Sequence, residues 1–292
     1  MRLVCVDDEV PEITLQLLAE ASAARGVEFL AVDARTFPFE DAPALAEGDM
    51  LYCAAVSAAA ALVEQVLVHP GVATFYTRPL GPFFNAVNHP LHFQQLGLPT
   101  PRTLPLLDAA RDRLDAAAER LGGYPLIVKV LGWSRGVGTL RVDSPAALYS
   151  LADLLLAEGK SPFLSAYVHP AVHWRVTVVG GRAVAAYRNV ADPGDFRTSA
   201  SAEASDYTDQ PDPQMARLAV AAARAQEVEL GGVDILEHES GRLYLLESNF
   251  PCYFAQAQET AGIDVAGAML DHLVGKAEAI LRRAATGAVL SR

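Results

Sequence analysis

Short apolar runs and helical-period stretches alternate over the first hundred residues. "RLVCVDD" (2–8) reads as a strand ending in acids, and Ile13, Leu17, Leu18 and Ala21 then recur at the 3.6-residue spacing of a helix. "VEFLAVDA" and "DMLYCAAV" are further strands. The Ala-rich stretch from Ser57 to Val68 is a helix capped by its serine, and "GVATFY" is one more strand. This order predicts a small α/β domain over residues 1–98. "LGLPTPRTLP" (96–105) breaks both periodicities and marks a boundary.

Beyond it, Asp108 to Leu121 has helical spacing and "GGYP" stops it. "PLIVKVLG" and "TLRV" are strands joined by the glycine-bearing "WSRGVG", then comes an amphipathic helix in "AALYSLADLLLAEG" and a strand in "FLSAYV". "HWRVTVVGGRAVAAYRNV" is a hairpin turning at Gly180-Gly181. Residues 191–213 are polar and read as a long loop. A helix over 214–228, strands "GGVDILEH" and "RLYLLESN" around "ESG", and a helix from Val265 to about Arg282 complete the pattern. The expected architecture is α/β followed by α+β, with parts at 1–98, 99–165 and 166–292.

Composition narrows the function classes. The chain has 292 residues and a net charge of -12, which argues against nucleic acid or an anionic membrane as the main partner. Cys5, Cys53 and Cys252 are scattered without metal-ligand spacing, which suits a reducing cytosol. The N-terminus turns acidic too early for a signal peptide, and no apolar run reaches spanning length, so a cytoplasmic protein is expected.

Two places carry candidate chemistry. Lys129 interrupts an apolar strand, where an unpaired ammonium is costly, so it needs an anion unless it snorkels to water. The loop after it runs into a strand, unlike a P-loop, and reads either as an ordinary hairpin or as a lid whose N–H groups cover phosphates. At the other end of the chain, "LYLLESNFP" (243–251) sets Glu247 and Asn249 two apart, on one side of a strand. The antiparallel partner "GVDIL" brings Asp234 beside them, and two carboxylates with an amide oxygen suit Mg²⁺. Glu247 pairing with an arginine and Asn249 capping the turn is the plainer alternative. Arg175, Arg188 and Arg197 recur around the same region and could hold phosphates or a carboxylate. Cys252 could be a nucleophile but reads more simply as a core cysteine, and His169 and His173 could touch substrate but read more simply as surface or capping residues.

The ordered set "PLIVKVLGWSRGVGTLRV", "HWRVTVVGGRAVAAYRN", "GDFRTS", "GVDIL", "LLESNFP" and "ETAGIDVAGAMLDHL" resembles the ATP-grasp superfamily, nearest its glutamate-ligase-like (RimK-type) branch, over about residues 96–275. The resemblance implies a pre-ATP-grasp domain followed by two α+β subdomains with ATP between them. By the same resemblance Lys129 and the loop Ser134, Arg135, Gly136, Val137 and Gly138 hold phosphates. The backbone of Ala166, Tyr167 and Val168 would meet the adenine edge. Asp234, Glu247 and Asn249 match the Mg²⁺ trio, for one or two ions, and Arg175, Arg188 and Arg197 match arginines near the phosphates and the acyl substrate. The implied reaction phosphorylates a carboxylate and passes the acyl group to an amine, on a small molecule or a peptide, and relatives in this branch are often homo-oligomers. Three departures stand out: "FNAVNHPLHFQQLG" lacks the branch's lysine, Ala166 replaces an acid, and Trp174 stands where an Asp is usual. A nucleotide-binding protein without turnover is the alternative they raise.

Overall fold

A computed structural model describes residues 1–38, 42–78, 89–130, 136–160, 162–191 and 194–290. Strands β1 (Arg2–Asp7), β2 (Glu28–Asp33) and β3 (Met50–Cys53) form a parallel sheet in the order β2-β1-β3. Helices α1 (Glu12–Ala23) and α2 (Ala58–Leu67) belong to the same unit, and the Ser57 hydroxyl accepts from Ala60 N as its sequence position predicts. Leu3, Val4, Cys5 and Val6 are all fully buried, because the central strand of a parallel sheet is covered on both faces. Leu3 and Cys5 pack toward Leu17 and Leu18, and Val4 and Val6 toward Ala60 and Val63.

The expected strand at "GVATFY" makes one parallel bridge, Met50 to Ala73, and then leaves. Its continuation crosses to the C-terminal half: Glu229 N donates to Phe75 O at 2.7 Å, and Thr77 N to Glu227 O at 3.0 Å. The hydrogen-bonding capacity that would have extended the first sheet instead stitches it to the rest of the molecule.

The second sheet is antiparallel in the order β4-β7-β5-β6, from β4 (Thr103–Pro105), β5 (Leu126–Val130), β6 (Thr139–Val142) and β7 (Pro162–Ala166). Helix α3 (His89–Gln95) precedes it, and α4 (Arg111–Leu121) and α5 (Pro145–Ala157) cover one face. Leu126, Val128 and Val130 point into that core, so the pleat sends Ile127 and Lys129 to the other face.

The largest sheet runs β10-β9-β8-β12-β13, from β8 (Ala171–Val179), β9 (Arg182–Ala191), β10 (Thr198–Ala200), β12 (Leu230–His238) and β13 (Leu243–Asn249), with β11 (Tyr207–Thr208) also pairing on β9. The β8–β9 hairpin turns at Gly180-Gly181, with φ of 58° and 76°, in the left-handed region that favours glycine. Helix α6 (Pro213–Ala225) packs against Val176, Val178, Val233 and Ile235 on one face. Helices α7 (Ala255–Ala261) and α8 (Val265–Leu290) close the other side, where Met269 and Leu270 share a core with Leu3 and Leu230.

The segment expected as a loop over 191–213 folds back as β10 and β11 onto β9. Tyr207 explains this: it is buried, stacks on Tyr187 at 4.8 Å, and donates its hydroxyl to Ser201 O at 2.6 Å. One aromatic anchor and a free strand edge outweigh a polar composition. Helix α8 also runs past the expected end near Arg282.

Candidate active site

The face of β5 that carries Lys129 meets the end of β13. Lys129 Nζ donates to Glu247 Oε2 at 2.6 Å, so the anion that a lysine in an apolar strand requires comes from the neighbouring sheet. Asn249 lies on the same side of β13 and donates Nδ2 to Glu247 Oε1 at 3.0 Å. The two-residue spacing thus does what strand geometry dictates.

Asp234 is the centre of the cluster. The register sets it opposite Arg175 on β8 and opposite Glu247 on β13. Arg175 grips it side-on, Nε to Oδ1 at 2.7 Å and Nη2 to Oδ2 at 3.1 Å. His173 Nε2 lies 3.2 Å from Oδ1, and Asn249 Nδ2 donates to Oδ2 at 3.4 Å. Asp234 is only 4% exposed. Burial opposes its charge, but the Arg175 guanidinium and His173 prevail and hold the carboxyl well below its usual range. The guanidinium is correspondingly raised, with Asp234 overcoming the effect of burial.

Gly232 makes this grip possible. A Cβ there would lie 2.6 Å from Arg175 Nη1 and 2.8 Å from Cys252 Cβ, both below contact distance. Gly232→Ala is therefore expected to lower stability by about 2 kcal/mol, as overpacking does, read from the urea midpoint. A midpoint equal to wild type would show that the guanidinium shifts freely. Cys252 is buried beneath this arginine, and burial pushes its thiol up to about 12 despite the nearby cation. That is the chemistry of a core cysteine, not of a nucleophile.

The remaining expected residues divide. Gly136 and Gly138 both have φ near 75°, and Gly138 O accepts from Val130 N at 2.9 Å, while Val137 is exposed. Ser134 and Arg135 lie outside the described residues. Arg197 pairs with Asp195 at 2.6 Å, and its Cδ lies 3.2 Å from the position of a Gly136 Cβ, which places it against the glycine loop. Arg188 is not brought to the cluster. It faces Trp174 across the β8–β9 pair, on the side of the sheet opposite Asp234, and sits 3.5 Å from Asp206. Ala166 ends β7 opposite Leu126, at the far end of β5 from Lys129, followed by Tyr167, which stacks on His169 at 5.3 Å, and half-buried Val168.

Two histidines stand here outside the expected site residues. His173 shares a face with Arg175 by the alternation of β8, a signal present in "HWR" but read as a surface position. His89, at the start of α3, accepts from Ser248 N at 3.4 Å and feels Glu247, Lys129 and Asp234; burial first of all lowers its basicity. No local pattern marks it.

Among the described residues no group of three or more His, Cys, Asp or Glu side chains forms a metal cluster. The donor set here is two carboxylates and an amide, which fits a hard cation; a half-turn of the Asn249 amide replaces Nδ2 with Oδ1. Glu247 is about a third open to solvent and reachable. Two cavities lie elsewhere, about 340 Å³ beside Trp174 and Met215 and about 440 Å³ beside His272 and Lys276.

A lysine on one antiparallel sheet faces an acid–amide trio on a second, beyond a small α/β unit, which is the arrangement the ATP-grasp resemblance leads one to expect. Residues 92–273 match the family model of the RimK-like ATP-grasp domain, and the chain belongs to that family. It is 28% identical over 169 residues, 57% of this chain and 56% of the relative, to a probable alpha-L-glutamate ligase 2 of Pseudoalteromonas atlantica. It is 30% identical over 154 residues, 52% and 51% of the two chains, to the ribosomal protein bS6--L-glutamate ligase of Escherichia coli O1:K1 / APEC. The chain thus spans about half the length of the curated relatives it matches. Its fold is that of ATP-grasp ligase PsnB complexed with minimal precursor, Mg and ADP, at a TM-score of 0.67 and 18% identity over 94% of this chain and 98% of that one. No helix among the described residues is long and apolar enough to cross a membrane.

Proposed function

We propose that the protein is an ATP-dependent carboxylate–amine ligase. The observation that supports this reading is the 2.6 Å pair between Lys129 and Glu247, a cation suited to phosphate and an acid suited to a metal ion on facing sheets. A substrate carboxylate takes the γ-phosphoryl group of ATP and ADP leaves. An amine then attacks the acyl phosphate, giving an amide, phosphate and a proton. Residues 1–98, 99–165 and 166–292 are the three parts of this reading, with the nucleotide between the second and third.

Lys129 and Arg175 balance Asp234 and Glu247 in the resting cluster, two cations against two anions. With a triphosphate bound, Lys129 would pair with phosphate oxygens, and the Glu247 carboxylate would be free to join Asp234 and Asn249 as a hard-oxygen ligand set for Mg²⁺. Bound Mg²⁺ supplies charge neutralisation for the phosphoryl oxygens. The backbone of Gly136, Val137 and Gly138 would cover the phosphates, and Ala166, Tyr167 and Val168 would offer the adenine edge. Arg197, against the glycine loop, is placed to meet phosphate or carboxylate, whereas Arg175 acts through Asp234. The geometry gives Arg188 no such support.

The relatives' names include glutamate ligases, and one PsnB structure is complexed with precursor peptide PsnA2 and AMPPNP. We infer an amino acid, small metabolite or peptide as acceptor. The test is Mg²⁺-dependent ADP release with mixtures of acids and amines, in separate arms for free amino acids and for peptides. Substrate-stimulated release is expected in one arm. Nucleotide binding with no stimulated release in any arm would leave a binding protein without turnover.

A further inference from the structure

His173 joins three elements of the large sheet. Its partner across the β8–β9 pair is Asn189, whose Nδ2 lies 3.4 Å from both ring nitrogens. Its Nε2 faces Asp234 Oδ1 at 3.2 Å, and its Nδ1 makes a short hydrogen bond with Thr198 Oγ1 at the start of β10. An ionised carboxylate only accepts, so Nε2 carries the proton that points at Asp234. Nδ1 is then the acceptor for the Thr198 hydroxyl. The ring therefore has a fixed tautomer, accepting from Thr198 at Nδ1 and donating to the carboxylate at Nε2, so one line of hydrogen bonds runs from Thr198 through imidazole to Asp234.

We propose that His173 is a positioning residue: it fixes the rotation of the Asp234 carboxylate and ties it to β10. Arg175 holds Asp234 through Nε and Nη2, and Asn249 Nδ2 reaches Oδ2. His173 adds the second donor on Oδ1 from the direction of β10, so the carboxylate cannot swing about its Cα–Cβ and Cβ–Cγ bonds. Thr198 follows Arg197, which rests against Gly136, so the same line links the glycine-loop region to the acid of the trio. Outer partners of this kind set how tightly a ligand carboxylate holds its ion. The inference rests on the ligase reading, since it concerns Mg²⁺ held at Asp234.

The experiment titrates Mg²⁺ while following binding of a fluorescent, nonhydrolysable ATP analogue to the intact protein. His173→Ala is expected to raise the Mg²⁺ concentration for half-maximal binding about tenfold, the lower end of what losing such a partner costs. Thr198→Val shifts it the same way by less. The double variant H173A/T198V goes no further than H173A, because the path runs through the ring. His173→Gln, which keeps a donor toward Asp234, restores most of the wild-type requirement. Wild-type Mg²⁺ dependence in H173A, or shifts that add as if independent, would overturn the role of His173 alone. If H173A fails to fold, the comparison of H173Q with T198V decides. Wild-type protein that binds no nucleotide with Mg²⁺ would overturn the ligase reading, and this inference with it.

Discussion

Glu247→Gln lowers substrate-stimulated ADP release about a hundredfold or more, while the melting temperature stays within a few degrees of wild type. The argument has two halves. Glutamine keeps the size of the side chain and its hydrogen bond with Asn249, but it removes the charge that Lys129 faces and the carboxylate a hard cation prefers. Removing one group that stabilises transition-state charge typically costs a factor of 10²–10³. The structural cost is small, because both side chains are about 30% exposed and a pair in such a wet cleft contributes ~1 kcal/mol or less. Nucleotide release at the wild-type rate in this variant would remove Glu247 from the chemistry. A collapse in melting temperature would recast the Lys129–Glu247 pair as a structural tie between sheets.

Much of this arrangement was legible in the chain itself, and for reasons that can be stated. Period-2 alternation places Lys129 on the open face of β5 and sets Glu247 and Asn249 on one side of β13. The tight turn between β12 and β13 brings Asp234 to the end of β13, where its register alone would face Leu246; a bulge between Asp234 and Ile235 shifts the pairing by one residue and sets Glu247 opposite. The alternation and the turn are local rules, and the bulge that completes the pairing does not follow from them. What sequence could not give was which groups meet across sheets: that the anion for Lys129 is Glu247, 118 residues away, or that His89 closes in beside them. Arg188 shows the same limit from the other side. It lies one residue off the parity of Tyr187, and that single step sends it to the α6 face with Trp174. The polar stretch 191–213 carries no strand signal of its own, because its deciding residue, Tyr207, matters only through a partner on β9. Gly232 was visible in "GGVD", but its need for a missing Cβ appears only once Arg175 and Cys252 are known to crowd it.

Arg175→Met is the variant with the largest expected effect on the fold. Methionine fills similar space but leaves Asp234 buried with only His173 and Asn249 as partners. Breaking a buried pair from one side costs about 3–5 kcal/mol, because the remaining charge stays out of water. The side chains are 21% and 5% exposed, so little of that is relieved by solvent. The pH dependence follows from the sign of the shift. In wild type the Asp234 carboxyl is held below its ordinary value of 3.8, so its contribution is present at neutral pH and is lost as pH falls through that value toward the depressed one. In the variant burial acts with less opposition and pushes the carboxyl up. Asp234 then takes up a proton as the solution is acidified, the buried charge disappears, and the penalty shrinks. Urea unfolding of wild type and R175M at pH 7 and pH 5 reads this as a gap that narrows at the lower pH. The double variant R175M/D234N should recover part of the loss at pH 7, since it buries no unpaired charge. A gap that is equal at both pH values, or a double variant no more stable than R175M, would mean that Arg175 supports the sheet by packing and leaves the state of Asp234 to its other neighbours.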